Sequence, residues 1–211
     1  MADIARSELI LGGQKSGKSR RAELLARQWL DAAPDHRAVM IATARPWDDE
    51  MRERIARHQQ DRAERVPGMR TVEEPVDLAQ AITAHSAAHT LIVVDCLTLW
   101  LTNLLMPAEP APKPSGWGEP DDPRFADKFK TKEAAAPDAP AQAAMLLGAI
   151  RSCAGPLVLV GNEIGLGVIP MGRETRAFVD ALGRLNQEVA QACQRVTLMA
   201  AGLPLTLKGA A

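Results

Sequence analysis

Eight residues near the start of the chain combine glycines with lysine and serine: Gly12, Gly13, Gln14, Lys15, Ser16, Gly17, Lys18 and Ser19. Glycine lets the backbone curl so that several N–H groups converge on one anion, and a following helix turns its positive end toward that anion. At this spacing Lys18 can reach the β- and γ-phosphates of a nucleotide, and the Ser19 hydroxyl can ligate Mg²⁺. The segment predicts a phosphate-binding P-loop, the alternative being a plain glycine-rich turn.

The segments around this motif fit a nucleotide site. An apolar run, Leu9–Leu11, comes before it, and a helical pattern, Lys18–Leu30, follows. A second apolar run, Leu91–Val94, ends in Asp95, which is the Walker B form. We expect this strand to lie beside the P-loop strand, where the Asp95 carboxylate holds Mg²⁺ or its water shell. No DxxG switch follows Asp95 and the chain has no NKxD motif, which disfavours a signalling GTPase.

His58 is a candidate nucleophile. It lies in a predicted helix, Asp48–Arg65, that has acidic residues first and basic residues later, both favourable to the helix dipole. At helical spacing Arg54 and Arg62 lie one turn to either side of the ring. Guanidinium groups disfavour protonation of an imidazole and keep its lone pair available for attack on a phosphoryl group. The spacing by itself leaves open a half-buried histidine on an amphipathic helix.

Apolar runs alternate with helical patterns along the chain. Strands that are apolar almost throughout are typical of a parallel sheet covered on both faces, so the alternation predicts a doubly wound α/β fold. The segment Leu203–Leu207 is expected to return as a hairpin strand at the sheet edge. The predicted strands are Leu9–Leu11, Val39–Ala42, Leu91–Val94, Leu157–Val160 and Val196–Ala200, and the predicted helices are Lys18–Leu30, Asp48–Arg65, Val76–Ser86, Leu97–Leu105, Ala141–Cys153 and Arg173–Arg195.

Length and composition narrow the possible classes of protein. The 211 residues predict one domain, residues 1–211, with an extended insertion at about 106–140 that holds eight of the fifteen prolines and is either a linker or a lid. A net charge of −1 and 3% aromatic residues argue against nucleic acid or an anionic membrane as partner. Three widely spaced cysteines and no apolar span predict a soluble, cytoplasmic protein with reduced thiols.

Several motifs together resemble those of one family, the bifunctional adenosylcobinamide kinases and adenosylcobinamide-phosphate guanylyltransferases of cobalamin biosynthesis. The resemblance spans nearly the whole chain apart from the proline-rich insertion. The matching stretches are LILGGQKSGKSRRAE at 9–23, IATARPWDDEMRERIARHQQDR at 41–62, TVEEP at 71–75, VVDCLTLWLTNLL at 93–105, VGNEIGLGVIP at 160–170, GRLNQEVA at 183–190 and AGLPLTLK at 201–208.

The resemblance implies a P-loop α/β fold that is RecA-like, with a largely parallel sheet and helices on both faces. It also implies two reactions, the first being phosphorylation of adenosylcobinamide by ATP or GTP. In the second, His58 attacks the α-phosphate of GTP, carries GMP as a phosphoramidate and passes it to adenosylcobinamide phosphate, giving adenosylcobinamide-GDP. Mg²⁺ is the implied cofactor, and the implied assembly is a homo-oligomer, a trimer or similar, with active sites near subunit contacts.

The same resemblance implies which residues contact the nucleotide. Besides the P-loop residues Gly12 to Ser19 these are Ala42, Thr43, Ala44, Gln59, Gln60, Asp61, Arg62, Glu73 and Asp95. Ser19 and Asp95 are the implied metal ligands. Two alternatives remain: an enzyme that keeps only one of the two reactions, and a RecA-type ATP-dependent regulatory or binding protein in which His58 is structural.

Overall fold

The protein is described by a computed structural model that covers residues 4–46, 49–106 and 138–210. Within this part no helix combines the length and apolarity that a membrane span requires. The strands are β1 (Ser7–Gly12), β2 (Arg37–Ala42), β3 (Arg70–Glu73), β4 (Thr90–Asp95), β5 (Leu157–Val160), β6 (Arg195–Ala200) and β7 (Leu203–Lys208). The helices are α1 (Lys18–Ala32), α2 (Asp49–Arg65), α3 (Leu78–His85), α4 (Leu97–Leu105), α5 (Ala139–Ser152) and α6 (Arg173–Ala192).

The seven described strands form one sheet in the order β3-β2-β4-β5-β1-β6-β7. Six of them are parallel, and β7 pairs antiparallel with β6 at the edge, as predicted for the Leu203–Leu207 segment. Alternate residues of a strand face opposite sides of the sheet, so Leu9 packs with α3 to α6 whereas Ile10 packs with α1. The predicted α/β class, with helices on both faces of a largely parallel sheet, is confirmed.

The predicted elements are present, with most ends shifted by a few residues and with β5 and α4 bounded as predicted. Strand β3 was not predicted, because its residues are partly exposed and give no apolar run. Asp48, the predicted first residue of α2, lies outside the described residues, as does the predicted insertion from 107 to 137.

The order of the strands corrects one expectation: the strand that ends at Asp95 does not lie beside the P-loop strand. Strand β5 separates them, since Val160 pairs with Ile10 on one side and with Asp95 on the other. The four residues of β5 are all apolar and all buried, which suits a central strand covered on both faces. As a result, the segment that follows β5 is the direct neighbour of the P-loop.

A buried carboxylate fixes the P-loop strand to the helix that follows the loop. Glu8, in β1, accepts hydrogen bonds from Arg21 Nε at 3.1 Å and from Thr197 Oγ1 at 2.8 Å. Arg195 Nη1 lies 3.8 Å from its second oxygen. Because a buried carboxylate is tolerated only when it is paired and hydrogen-bonded, Glu8 ties β1 to α1 and β6.

Candidate functional site

The P-loop segment forms the predicted turn between β1 and α1. Gly12 has φ +153°, and a Cβ atom there would come within 2.5 Å of the Met199 carbonyl oxygen and 2.6 Å of Ser16 Oγ. Gly17, with φ +99°, occupies the left-handed region just before α1 begins at Lys18. Both positions therefore require glycine, and the backbone curls into a cradle at the amino end of a 15-residue helix.

Lys18 is buried at the base of this cradle. Its ammonium donates to the Gly13 carbonyl oxygen at 2.6 Å and lies 3.5 Å from Ser16 Oγ. Burial lowers the pKa of Lys18, and the nearby Cys96 and Asp95 oppose that shift. A partly desolvated ammonium directed at the inside of the loop is suited to binding an anion.

Cys96 is excluded as a nucleophile. Burial raises the pKa of its thiol to about 11, and the neighbouring Asp95 carboxylate adds to this effect. The nucleophile of cysteine chemistry is the thiolate, so at neutral pH this side chain is an inert part of the core.

The carboxyl ends of five parallel strands, β3, β2, β4, β5 and β1, lie side by side along one edge of the sheet. The register aligns Glu73 of β3 with Ala42 of β2, Ala42 with Asp95 of β4, and Asp95 with Val160 of β5. Val160 is aligned with Ile10, two residues before the cradle begins. The carboxyl ends of the strands thus bring Ala42 to Ala44, Glu73 and Asp95 to the same edge as the P-loop, where open α/β sheets bind ligands.

Thr43 holds two of these strand ends together. Its buried hydroxyl donates to the Cys96 carbonyl oxygen at 2.8 Å and accepts from the Cys96 N–H at 2.9 Å. Its carbonyl oxygen accepts from Asn103 Nδ2 at 2.8 Å. The side chain of Thr43 is therefore engaged with the backbone that follows Asp95, and only neighbouring main-chain groups remain for a nucleotide.

We expect Thr43→Val to destabilise the protein by about 2 kcal/mol, because it leaves the buried Cys96 N–H and carbonyl without their shared partner. Urea unfolding of the two proteins measures the difference. Thr43→Ser, which keeps the hydroxyl, is the matched control. Equal stabilities of the valine and serine variants would contradict the assigned role.

The helix that contains His58 is anchored at its carboxyl end. Arg65 Nη1 donates to Glu23 Oε2 at 3.1 Å, and the buried Arg62 donates to Thr71 Oγ1 at 3.1 Å with its Nε 4.0 Å from Glu23. Arg62 thus joins α2 to α1 and β3. The side chain of His58 lies outside the described side chains, as do those of Glu50, Met51, Arg54 and Ile55.

Two of the other predicted residues on α2 are paired within the protein. Gln59 Nε2 donates to Glu73 Oε1 at 3.3 Å, which links the helix to the end of β3. Asp61 accepts from Arg65 at 3.0 Å, whereas Gln60 is exposed. The structure thus brings Gln59 to the end of β3 that bears Glu73. Asp61 is bonded within α2, and Arg62 is bonded to β3 and lies next to α1.

Sequence reasoning left Asn162 and Glu163 out of the candidate site. The Glu163 N–H donates to the carbonyl oxygen of Gly12 at 3.1 Å, so the segment after β5 is bonded to the first residue of the cradle. Asn186 of α6 supports it, donating from Nδ2 to the Asn162 carbonyl at 3.1 Å. The available signal was a pair of polar residues that follow a buried apolar strand after a single glycine, within the stretch VGNEIGLGVIP.

Comparison with known sequences identifies the family. The profile described as cobinamide kinase / cobinamide phosphate guanyltransferase, CobU, matches residues 8–207. The chain belongs to this family. The match includes the cradle, α2, Asp95 and the segment after β5.

Three relatives align with almost the whole chain. The bifunctional adenosylcobalamin biosynthesis protein CobP of Pseudomonas aeruginosa is 43% identical over 202 residues, 96% of this chain and 97% of that protein. The bifunctional adenosylcobalamin biosynthesis proteins CobU of Escherichia coli and Salmonella typhimurium are each 34% identical over 200 residues, 95% of this chain and 98% of theirs. Among solved structures, the flagellar accessory protein FlaH of Methanocaldococcus jannaschii matches 98% of this chain and 79% of its own, with TM-score 0.47 and 10% identity, a likeness too remote to bear on function.

Proposed function

We propose that this protein phosphorylates adenosylcobinamide with ATP or GTP and then transfers GMP from GTP to adenosylcobinamide phosphate, giving adenosylcobinamide-GDP in cobalamin biosynthesis. The observation that carries the proposal is the buried Lys18 in the cradle, at the same carboxyl-end edge of the sheet as Asp95 and Glu73. The chain belongs to the cobinamide kinase / cobinamide phosphate guanyltransferase family. Both reactions begin with a nucleoside triphosphate, so one phosphate cradle serves both.

In this proposal the triphosphate lies in the cradle of residues 12–19. Backbone N–H groups of the loop and the amino end of α1 bind the phosphate oxygens. The Lys18 ammonium gives up its hydrogen bond to the Gly13 carbonyl oxygen and donates to a negatively charged phosphate oxygen. Ala42 to Ala44 and Glu73, at the ends of β2 and β3, contact the nucleoside. Gln59 to Arg62 approach it from α2, and for Asp61 and Arg62 this requires exchanging their present bonds to Arg65 and Thr71. Glu73 and Gln59 are already hydrogen-bonded to each other.

The residues at the cradle fit a magnesium ion. Ser19 supplies a hydroxyl oxygen and the half-buried Asp95 a carboxylate oxygen, which are the hard donors that Mg²⁺ prefers. Mg²⁺ is commonly bound by one or two such groups together with substrate phosphates. When bound there, the ion would neutralise charge that develops on the phosphates.

His58 is the proposed nucleophile of guanylyl transfer. A ring nitrogen forms a bond to the α-phosphorus of GTP, the bond to the bridging oxygen breaks, and pyrophosphate leaves. A phosphate oxygen of adenosylcobinamide phosphate then bonds to the same phosphorus as the P–N bond breaks, which restores the imidazole. Dividing the transfer into two displacements gives each step a good leaving group.

We further propose a homo-oligomer, a trimer or similar, in the cytoplasm. Strand β7 lies at the sheet edge with Leu203, Leu205 and Leu207 exposed. An apolar edge strand is a ready pairing or packing surface, which supports burial of this edge against a second copy. Free cysteines at positions 96, 153 and 193 are compatible with a reducing compartment.

Radiolabelled GTP tests the covalent chemistry in the wild-type protein. Label from the α-phosphate is expected to remain on the protein after denaturation, to be lost in acid and to survive base, whereas label from the γ-phosphate is not retained. Label that never remains on a protein able to hydrolyse ATP would support the RecA-type regulator instead. Label retained by a protein unable to phosphorylate adenosylcobinamide would leave only the transferase half of the proposal.

A further inference from the structure

The loop between β5 and α6 exposes an unusual amount of apolar surface. Five large apolar side chains within eight residues face outward: Ile164, Leu166 (80% exposed), Val168 (95%), Ile169 (77%) and Met171 (95%). Single exposed apolar residues are ordinary, but a contiguous group of them marks a binding surface. The stretch 164–171 also carries no charge.

Hydrogen bonds fix both ends of this loop. At its start, the Glu163 N–H binds the Gly12 carbonyl and the Glu163 carboxylate accepts from the Gly165 N–H at 3.1 Å. At its end, Arg176 Nη1 donates to the carbonyl oxygens of Pro170 at 2.9 Å and Met171 at 2.5 Å. The apolar side chains therefore project from a backbone whose two ends are bound to the folded domain.

The position of the loop beside the cradle limits which ligand can pack on it. The bond between Glu163 and Gly12 joins the start of the loop to the first residue of the cradle, where the proposed function places the terminal phosphate of a bound nucleotide. The hydroxyl that accepts that phosphate must lie at the same place. Adenosylcobinamide presents this hydroxyl on a short arm of a broad macrocycle whose rim carries methyl groups and neutral amides.

We infer that residues 164–171 form the platform on which the corrinoid macrocycle packs, with its aminopropanol arm directed at the cradle. This inference rests on the proposed function. The apolar side chains match the methyl groups of the rim, and the uncharged backbone around Gly165 and Gly167 offers hydrogen bonds to its amides. A second copy of the chain is the competing occupant, but the leucines of β7 offer that partner a separate surface three strands away.

The test uses two polar substitutions that cannot disturb the core, Val168→Gln and Met171→Gln, made singly and together, since both side chains are 95% exposed. Leu24→Gln on α1, where the leucine is also exposed, is the matched control. The measurements are KM and kcat for adenosylcobinamide phosphorylation, GTP-dependent self-labelling, and molar mass by light scattering. The double variant is expected to raise KM for the corrinoid roughly tenfold, the scale of losing one or two apolar contacts, with labelling and mass as in wild type.

Each other result counts against the platform. An unchanged KM for the corrinoid in the double variant overturns it, as does an equal rise in the Leu24→Gln control. A lower molar mass in the double variant assigns the loop to a subunit interface instead. Failure of the proposed function is recognised separately, because then the wild-type protein itself neither labels itself from GTP nor phosphorylates adenosylcobinamide.

Discussion

His58→Ala is expected to take up no label from the α-phosphate of GTP and to form adenosylcobinamide-GDP at least about 10⁴-fold more slowly than wild type, the scale of removing a catalytic nucleophile. The same variant should still phosphorylate adenosylcobinamide, because that transfer needs the phosphate cradle and the acceptor hydroxyl but no covalent intermediate. Measuring the two reactions separately, by release of pyrophosphate and by transfer of the γ-phosphate, checks both halves of the expectation.

A matched histidine variant controls for the loss of an imidazole as such. His89 has an exposed side chain just before β4, at the opposite end of that strand from Asp95. His89→Ala should therefore label and transfer GMP as wild type does. If His58→Ala made the GDP-linked product at an undiminished rate, the covalent route would be wrong whatever the control showed.

Lys18→Met is expected to slow both reactions by about 10² to 10³-fold, the usual loss when one preorganised donor is removed from a developing negative charge. Lys18 is buried with its ammonium on the Gly13 carbonyl, whereas Lys15, the other lysine of the loop, is exposed. Arg20→Met is the control: it removes an exposed positive charge from the same helix and should leave both rates near wild type.

The unfolding behaviour of Lys18→Met separates lost binding from lost folding. Burial lowers the pKa of Lys18 in the folded protein, so the charged form is less favourable there than in the unfolded chain. The charged ammonium therefore lowers the free energy of unfolding at neutral pH. This destabilisation disappears as pH rises from the lowered pKa toward 10.5. The nucleotide-free methionine variant should thus be no less stable than wild type at pH 7, and it should lose the rise in Tm that GTP gives to wild type. A variant that unfolds more easily at pH 7 would contradict this account of the buried ammonium.

Local pattern was sufficient for most of the elements. Glycine at 12 and 17, apolar residues at 9–11 and a helix former at 18 act within a few residues of one another, and the observed turn follows from them. The apolar run 157–160 likewise became a strand with the predicted bounds. The edge strand 70–73 was not predicted because it is held mainly by its pairing with β2. It buries little apolar surface of its own and so leaves no apolar run in the sequence.

Sequence patterns are enough to predict the phosphate cradle, the α/β alternation and, through the motifs, the family. Three features became visible only in the folded protein: β5 separates the cradle from Asp95, the Thr43 hydroxyl is bonded to the backbone of Cys96, and Glu163 is bonded to Gly12. The physical reason is the range of the interactions. Turns and helices are fixed by neighbours within one turn of chain, whereas the lateral order of strands is fixed by hydrogen bonds and packing between residues such as Gly12 and Glu163, which lie far apart in sequence and meet only when the sheet has formed.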